Sequence, residues 1–77
     1  MDFYTDEEIG RIIKNARISL DLTQVTLGDR LGVQPAAVQK WESGKVTNIK
    51  RSILRQLALE LKISPAVLIG IKNSEID

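Results

Sequence analysis

The stretch from Gln24 to Gly44, QVTLGDRLGVQPAAVQKWESG, constrains the fold of this 77-residue chain more than any other part. It contains two short helical patterns joined at Gly32, a residue that can end a helix in the left-handed conformation without steric cost. Each pattern turns its apolar residues to one face. These residues are Leu27 and Leu31 in the first pattern, and Val38 and Trp41 in the second. The spacing predicts two helices that pack against each other.

Two further residues favour a helix-turn-helix. Gly28 has no side chain, so the second helix can cross the first closely and at a steep angle. Pro35 suits the first position of the second helix, where its fixed φ fits and its missing N–H loses no hydrogen bond. These signals fall in register within one short stretch and together predict the motif.

The stretch resembles the DNA-binding helix-turn-helix of the lambdoid phage repressor and Cro family, the XRE type. The residues that carry the resemblance are Gln24, Leu27, Gly28, Leu31, Gly32, Val33, Val38 and Trp41-Glu42-Ser43-Gly44. It covers about residues 9 to 69, and its WESG part is the most specific. The resemblance implies an all-α, compact five-helix lambda-repressor-like domain with a central helix-turn-helix, which usually acts as a homodimer on operator DNA.

The length of the chain allows one small domain. We expect residues 1–70 to form it and residues 71–77 to be a C-terminal tail or the start of a linker. The chain has no cysteine and no histidine, which excludes disulfides and the common zinc sites and removes the usual nucleophile and near-neutral base. We therefore expect no enzyme, no metal and no cofactor.

The apolar runs are short and the N-terminal segment, MDFYTDEE, is acidic. A membrane span needs a long apolar run, and a signal peptide begins with basic residues. The sequence therefore predicts a soluble, cytoplasmic protein.

The formal net charge is only +1, but the charges are unevenly distributed. Between Arg30 and Arg55 six basic residues stand against Glu42 alone, whereas acidic residues collect near both ends. This asymmetry favours a basic face directed at phosphates. Any single lysine also fits an ordinary mixed surface.

The first helix is predicted to begin after Thr5, with Glu8 completing a capping box, and to end near Leu20. Relatives usually have glycine at the position of Asp21, so we expect some strain in this turn. Arg17 occupies the position of a family arginine that pairs with the glutamate of the W-E-x-G stretch, here Glu42. The resemblance therefore implies an Arg17–Glu42 salt bridge, in which a bidentate partner would offset the desolvation of the carboxylate. Two separate solvated charges are the alternative.

The third helix, about Pro35 to Ser43, would enter the major groove. The candidate base contacts are Gln34, Ala36, Ala37, Gln39, Lys40 and Ser43. Gln34 can pair with adenine and Lys40 can donate to guanine, whereas the alanines can only touch a thymine methyl or permit close approach. Gln39 fits a solvated surface equally well. Relatives commonly carry polar residues where Pro35 and Ala36 stand.

The candidate phosphate contacts are Thr23, Gln24, Lys45, Asn48, Lys50 and Arg51. Thr23 caps the second helix, so the amide of Gln24 and the free N–H groups of the helix can meet a phosphate. The fourth helix is predicted to be capped by Thr47 or Asn48. Its first turn then holds two cations, which the helix dipole disfavours unless an anion is bound. Loose basic surface is the alternative reading of this cluster.

The last two helices carry surplus apolar residues. Leu59 falls off the inward stripe of the fourth helix, and Ser64-Pro65 opens a short fifth helix that is predicted to end at Gly70. In the family this region builds the dimer interface. The candidate interface residues are Leu59, Val67 and Ile69.

The leading hypothesis is a sequence-specific, dimeric transcriptional regulator that binds double-stranded DNA, a repressor of phage or mobile-element type. Two-fold symmetry predicts a palindromic operator with half-sites about one helical turn, ~10.5 bp, apart. The alternative is a protein-interaction module of the same fold, an antitoxin or bridging-type domain with weak or no DNA binding. The apolar segment 35–37 and the low net charge favour it.

Overall fold

The computed structural model describes residues 2–72 and consists of five helices. They are α1 (Asp6–Ser19), α2 (Gln24–Leu31), α3 (Pro35–Glu42), α4 (Arg51–Leu61) and α5 (Pro65–Leu68). The α2–α3 pair forms the helix-turn-helix, and α1 and α4 pack against it. The all-α, five-helix fold is confirmed. The β pairing in the described range is a single antiparallel bridge between Phe3 and Ile71.

Local sequence signals account for most helix starts. The hydroxyl of Thr5 accepts from the Glu8 N–H while the Glu8 carboxylate accepts from the Thr5 N–H, so the predicted capping box is confirmed. Thr23 caps α2 by accepting from the Thr26 N–H, and Ser64 caps α5. Pro35 is the first residue of α3, as expected.

The turns before and within the helix-turn-helix also match the expectations. Gly32 has φ +72° at the end of α2, in the left-handed region that favours glycine. A Cβ on Gly28 would lie 2.7 Å from the carbonyl oxygen of Val33, so this glycine lets the turn before α3 pack closely on α2. Asp21 adopts φ +58° after α1, a conformation that costs a residue with a side chain more than it costs glycine.

The predicted cap of α4 is wrong. Neither Thr47 nor Asn48 caps the helix, because both lie in a turn and α4 begins later, with Lys50 at the cap position and no side-chain capping bond. Val46 is buried and Ile49 packs against the core. Burial of these two side chains therefore outweighs a cap, which contributes only ~1 kcal/mol. The last helix also ends earlier than expected, at Leu68, and Gly70 belongs to the turn that follows it.

The core is formed by apolar side chains from all five helices and from the loop before α4. The buried hydrophobic residues are Ile9, Ile13, Leu27, Leu31, Val38, Trp41, Val46, Leu57, Ala58, Leu61 and Leu68. They lie on the inward stripes that periodicity predicts. No helix within residues 2–72 is both long enough and apolar enough to cross a bilayer.

The crossing of α1 over the C-terminal end of α3 depends on Gly10, which no motif in the sequence indicates. A Cβ on Gly10 would lie 2.7 Å from the Trp41 carbonyl oxygen and 2.8 Å from that of Glu42. Both are backbone atoms, so a side chain at this position would push the helices apart. Because glycine has no side chain, α1 packs directly on the end of α3.

The two ends of the described chain meet. The N–H of Tyr4 donates to the carbonyl oxygen of Gly70 at 2.7 Å, and the N–H of Lys72 donates to that of Asp2 at 3.4 Å. The Nζ of Lys72 also lies 5.2 Å from the ring centroid of Tyr4. The first residues of the expected tail are thus paired with the N-terminal segment. The remainder of that tail, 73–77, lies outside the described residues, and the domain boundary stays a prediction.

Candidate nucleic-acid interface

The outer face of α3 is the surface on which the base contacts were predicted. Val38 and Trp41 are buried and fix the opposite face of the helix in the core. The exposed candidates are Gln34, Ala36, Gln39, Lys40 and Ser43. From position 36 onward their spacing places them on one side of the helix. The structure therefore brings five of the six candidates to the surface.

Ala37 is the exception. It was expected to point outward, but it is half-buried and packs against the core. The reason is helical geometry, because Ala37 lies one turn before Trp41 and therefore on the same face. The expectation of an outward Ala37 is wrong.

Two of the exposed candidates differ in which hydrogen-bonding groups they leave free. Gln34 stands at the cap position of α3 and makes no side-chain capping bond, so its amide is available to a ligand. The hydroxyl of Ser43 donates to the carbonyl oxygen of Lys40 at 2.7 Å. Ser43 therefore keeps only its acceptor lone pairs for a ligand.

The predicted salt bridge between Arg17 and Glu42 is present and bidentate. Arg17 Nε donates to Glu42 Oε2 at 2.6 Å and Nη2 donates to Oε1 at 3.0 Å, while Nη1 donates to the Leu22 carbonyl oxygen at 2.9 Å. Only 11% of the Arg17 side chain and 5% of the Glu42 side chain are exposed. The hydrogen bonds to Glu42 raise the pKa of Arg17 above its ordinary value. The pair ties α1 to the last residue of α3.

Gln24 has a contact that sequence reasoning missed. Its Nε2 donates to Glu42 Oε1 at 3.0 Å, so the side chain is half-buried between α2 and α3. No local signal links positions 24 and 42, and only the folded chain brings them together. The second N–H of the amide and the backbone N–H at the start of α2 can still meet a phosphate. The hydroxyl of Thr23, another phosphate candidate, is engaged in the cap with Thr26.

The remaining phosphate candidates lie between the end of α3 and the start of α4. Lys45, Asn48, Lys50 and Arg51 are all exposed. The first N–H groups of α4 receive no side-chain cap from Lys50, which leaves them free to bind an anion. Arg51 also borders an apolar groove beside Ile69.

One of the six cations between positions 30 and 55 is already paired within the fold. Arg30 Nη1 lies 3.3 Å from Glu60 Oε1, in an ion pair that joins α2 to α4. Arg55 borders the apolar grooves between α4 and α5. The local positive excess available to a nucleic acid is therefore smaller than the sequence count indicates.

The surplus apolar residues lie on α4, on α5 and just after α5. Leu59 is 72% exposed and Ile69 is 63% exposed. They line two adjoining grooves between α4 and α5, which share Arg55 and Pro65. Val67 is half-buried and lines neither groove.

Residues 13–68 match the sequence pattern of the family described as Helix-turn-helix. A relative from Sinorhizobium fredii, an uncharacterized HTH-type transcriptional regulator, is 34% identical over 61 residues, which are 79% of this chain and 42% of the relative. The chain thus spans less than half the length of this curated relative.

Two solved structures are similar in fold. The P22 c2 repressor, in complex with the synthetic operator 9T, matches with a TM-score of 0.71 and 32% identity over 78% of this chain and 89% of that one. The hydroxypropylphosphonic acid epoxidase from S. wedmorenis matches with a TM-score of 0.74 and 23% identity over 83% of this chain and 34% of that one. At this identity the second match shows a shared fold alone.

Proposed function

The chain belongs to the helix-turn-helix family, and from this premise we propose that it is a DNA-binding transcriptional regulator that reads the major groove with α3. The similarity to the P22 c2 repressor favours a repressor of phage or mobile-element type. A cytoplasmic location belongs to the same proposal, because a regulator of transcription acts where the chromosome is.

The observation that carries the proposal is the way α3 is packed and held in the fold. One face of the helix is held by Val38 and Trp41, and its C-terminal end is held by the Arg17–Glu42 pair. The other face presents Lys40 to solvent, and Gln34 is exposed at the cap position before the helix. A rigidly held helix with free donors on its outer face is what base recognition in the major groove requires.

Affinity would come mainly from the DNA backbone. The proposed phosphate contacts are Thr23, Gln24, Lys45, Asn48, Lys50 and Arg51. Two observations support them. The last four of these residues are exposed, and the N-terminal N–H groups of α4 lack a side-chain cap. A phosphate at this helix end would also offset the unfavourable position of Arg51 in the first turn.

A homodimer on a palindromic operator completes the proposal. Leu59 and Ile69 provide exposed apolar surface around the α4–α5 grooves, and Val67 is adjacent in the chain. Sedimentation of the free protein tests this part, since Leu59→Lys or Ile69→Lys should shift the chain toward the monomer. In contrast, Val25→Lys, on an apolar residue of α2 that is 55% exposed, should leave the association state unchanged.

The proposed function is tested by selecting bound sequences from a random pool of duplex DNA. We expect a palindromic site with half-sites ~10.5 bp apart. On that site Gln34→Ala and Lys40→Ala should each weaken binding by about 1–3 kcal/mol and relax selection at one base pair. The matched control is Lys62→Ala, which deletes the positive charge at the C-cap position of α4. Failure to select any sequence, with affinity that does not respond to salt, would contradict the proposal.

A protein-interaction module is the second candidate. Ala36, exposed on the outer face of α3, and the exposed Leu59 and Ile69 favour it, because these side chains offer no hydrogen-bond donors to bases. In that case Gln34→Ala and Lys40→Ala would leave the partner protein bound, and the affinity for duplex DNA would not exceed that of an unrelated protein of equal charge.

A further inference from the structure

The two α4–α5 grooves combine apolar surface with positive charge. Five apolar residues and both Arg51 and Arg55 line the first groove, which has a volume of about 620 Å³. Four apolar residues and Arg55 line the second. None of the residues that line either groove is acidic. A ligand for this face must therefore offer both apolar groups and negative charge.

The two arginines of the grooves are not neutralised by the described part of the fold. Neither takes part in the two ion pairs found within residues 2–72. Both are exposed, and they lie one turn apart on the same side of α4. Leu59 follows one turn later and is 72% exposed. The three side chains form a stripe along the grooves that is ~12 Å long, about two helical turns.

A second copy of this chain is a poor match for the charge of the grooves. In a two-fold interface each copy contributes the same patch. Contact of the grooves with themselves would bring the arginines of both copies together without an acid among the lining residues, and like charges at an interface repel. The proposed homodimer is therefore weakened by its own arginines, and another partner can compete with it for this face.

Duplex DNA is a poor match for the apolar part of the grooves. Its backbone presents phosphates and sugars, so Ile49, Leu54 and Ile69 in the first groove would gain no apolar partner there. An amphipathic helix of a protein matches both parts. Its apolar stripe fits the lining of the groove, and carboxylates beside that stripe can accept hydrogen bonds from the arginines.

We infer that the α4–α5 grooves bind an amphipathic helix of another protein, which carries acidic residues beside its apolar stripe. Its carboxylates pair with Arg51 and Arg55, and its apolar side chains cover Leu59 and Ile69. Because the proposed homodimer uses the same face, the partner helix and the second copy compete. The inference goes beyond the proposed DNA contacts and holds whether or not the chain binds DNA.

The test is selection from a displayed library of helical peptides that share one leucine stripe and carry glutamate, glutamine or lysine at each flanking position. With the wild-type chain as bait we expect glutamate to be enriched, and with Arg55→Glu this enrichment should be lost. Arg55 is chosen because it is exposed and is not among the proposed phosphate contacts. The control is Lys62→Glu, the same charge change at the C-cap position of α4, which should keep glutamate enriched. Thermal unfolding of both variants should match that of the wild type.

Fluorescence anisotropy of a selected acidic peptide then measures the two parts of the contact. Arg55→Glu should weaken binding by about fivefold or more, because an attraction becomes a repulsion, and added salt should reduce this difference. Ile69→Ser should weaken binding at every salt concentration, because it removes apolar area. Lys62→Glu and Val25→Ser, both outside the grooves, should change the affinity by less than about twofold. The peptide should also shift self-associated chains toward the monomer in sedimentation.

Each other outcome overturns the inference. Absence of any enriched peptide shows that the grooves bind no helix of this kind. Equal enrichment of the three flanking residues, or equal loss of affinity in Arg55→Glu and Lys62→Glu, shows that the groove arginines do not select acids. A dimer that the peptide does not displace assigns the grooves to the second copy. Tighter peptide binding after Glu75→Gln and Asp77→Asn assigns them to the acidic end of this chain. None of these measurements contains DNA, so their failure leaves the proposed function standing.

Discussion

Two helix crossings in this molecule each contain an ion pair between an arginine and a glutamate. The two pairs differ in how deeply they are buried. Where α1 crosses α3, the bidentate pair of Arg17 and Glu42 is almost completely buried. Where α2 meets α4, Arg30 and Glu60 make a single contact of 3.3 Å, and 51% of the arginine side chain is exposed. The residue types are the same and the surroundings are not.

The comparison shows that burial decides what an ion pair does for a fold. Glu42 satisfies its oxygens with three hydrogen bonds, so the buried charge is compensated only while Arg17 and Gln24 stay in place. Removing one partner of such a pair leaves an uncompensated buried charge. The outer pair exchanges its contacts for water at little cost.

Glu42→Ala should have the largest effect, a loss of about 3–5 kcal/mol in the free energy of unfolding, because Arg17 would remain buried without its partner. A chain of this size has roughly 3–5 kcal/mol in total, so the variant should be largely unfolded at room temperature. Urea titration followed by the fluorescence of Trp41, the sole tryptophan, measures this.

Adding a compensating change sharpens that result. If the uncompensated charge is the cause, Arg17→Met combined with Glu42→Leu should recover stability relative to Glu42→Ala, because no buried charge then lacks a partner. Equal instability of the single and double variants would show instead that the crossing needs the hydrogen bonds themselves.

Gly10→Ala should come next, with a loss of about 1–3 kcal/mol, because the added Cβ would meet three backbone atoms of the α3 end at 2.9 Å or less. Gly28→Ala is the matched control, since both positions are inside helices and gain the same helix propensity. There the Cβ meets one such atom, at 2.7 Å, and the next nearest atoms lie at 3.5 Å. A larger loss for Gly28→Ala in the same urea titration would contradict the view that the α1–α3 crossing is the tighter one.

Arg30→Ala should lower the free energy of unfolding by only ~0–1 kcal/mol. Solvent screens an exposed ion pair, and the entropy lost in ordering its two side chains offsets most of the attraction. Glu60→Ala should behave alike, and the double variant should show little coupling. Measuring the coupling at low and high salt checks the reason, since an exposed pair weakens as salt rises. A coupling as large as that of the buried pair would break the comparison.

Glu8→Gln should have the smallest effect, and its difference in stability from the wild type should disappear in acid. The pKa of Glu8 is lowered, chiefly because the Thr5 N–H donates to its carboxylate. A lowered folded-state pKa means that the carboxylate stabilises the fold above its unfolded-state pKa and loses this effect as pH falls through the folded-state value. The variant should therefore lose less stability than the wild type below pH 4.5. Glu7→Gln, a charge removed from the same turn, is the control, and an identical acid response of the two would contradict the expectation.

The parts of the fold that the sequence predicted well are those with local causes. The caps at Thr5, Thr23 and Ser64 and the left-handed turn at Gly32 each depend on a few neighbouring residues. The Arg17–Glu42 pair joins residues 25 positions apart. It was predicted because the motif resembles a known family, and no periodicity in the chain indicates it.

The failures have long-range causes. Thr47 and Asn48 are good capping residues, but the burial of Val46 places them in a turn instead. Ala37 is the exception, because its place one turn before Trp41 is a local feature and puts it on the inward face of α3. The contacts of Gly10 and Gln24 with the end of α3 exist only once α1, α2 and α3 have packed. The roles of the individual base and phosphate candidates stay predictions.

The short bridge between Phe3 and Ile71 has a practical consequence. Because both ends of the described fold emerge side by side, a few glycines and serines could connect them, and new ends could be opened in the exposed turn at 47–48. Such a circularly permuted chain would keep every helix, with α4 and α5 synthesised before α1, α2 and α3. A bulky fusion partner attached at either end of the domain would leave from the same spot on its surface.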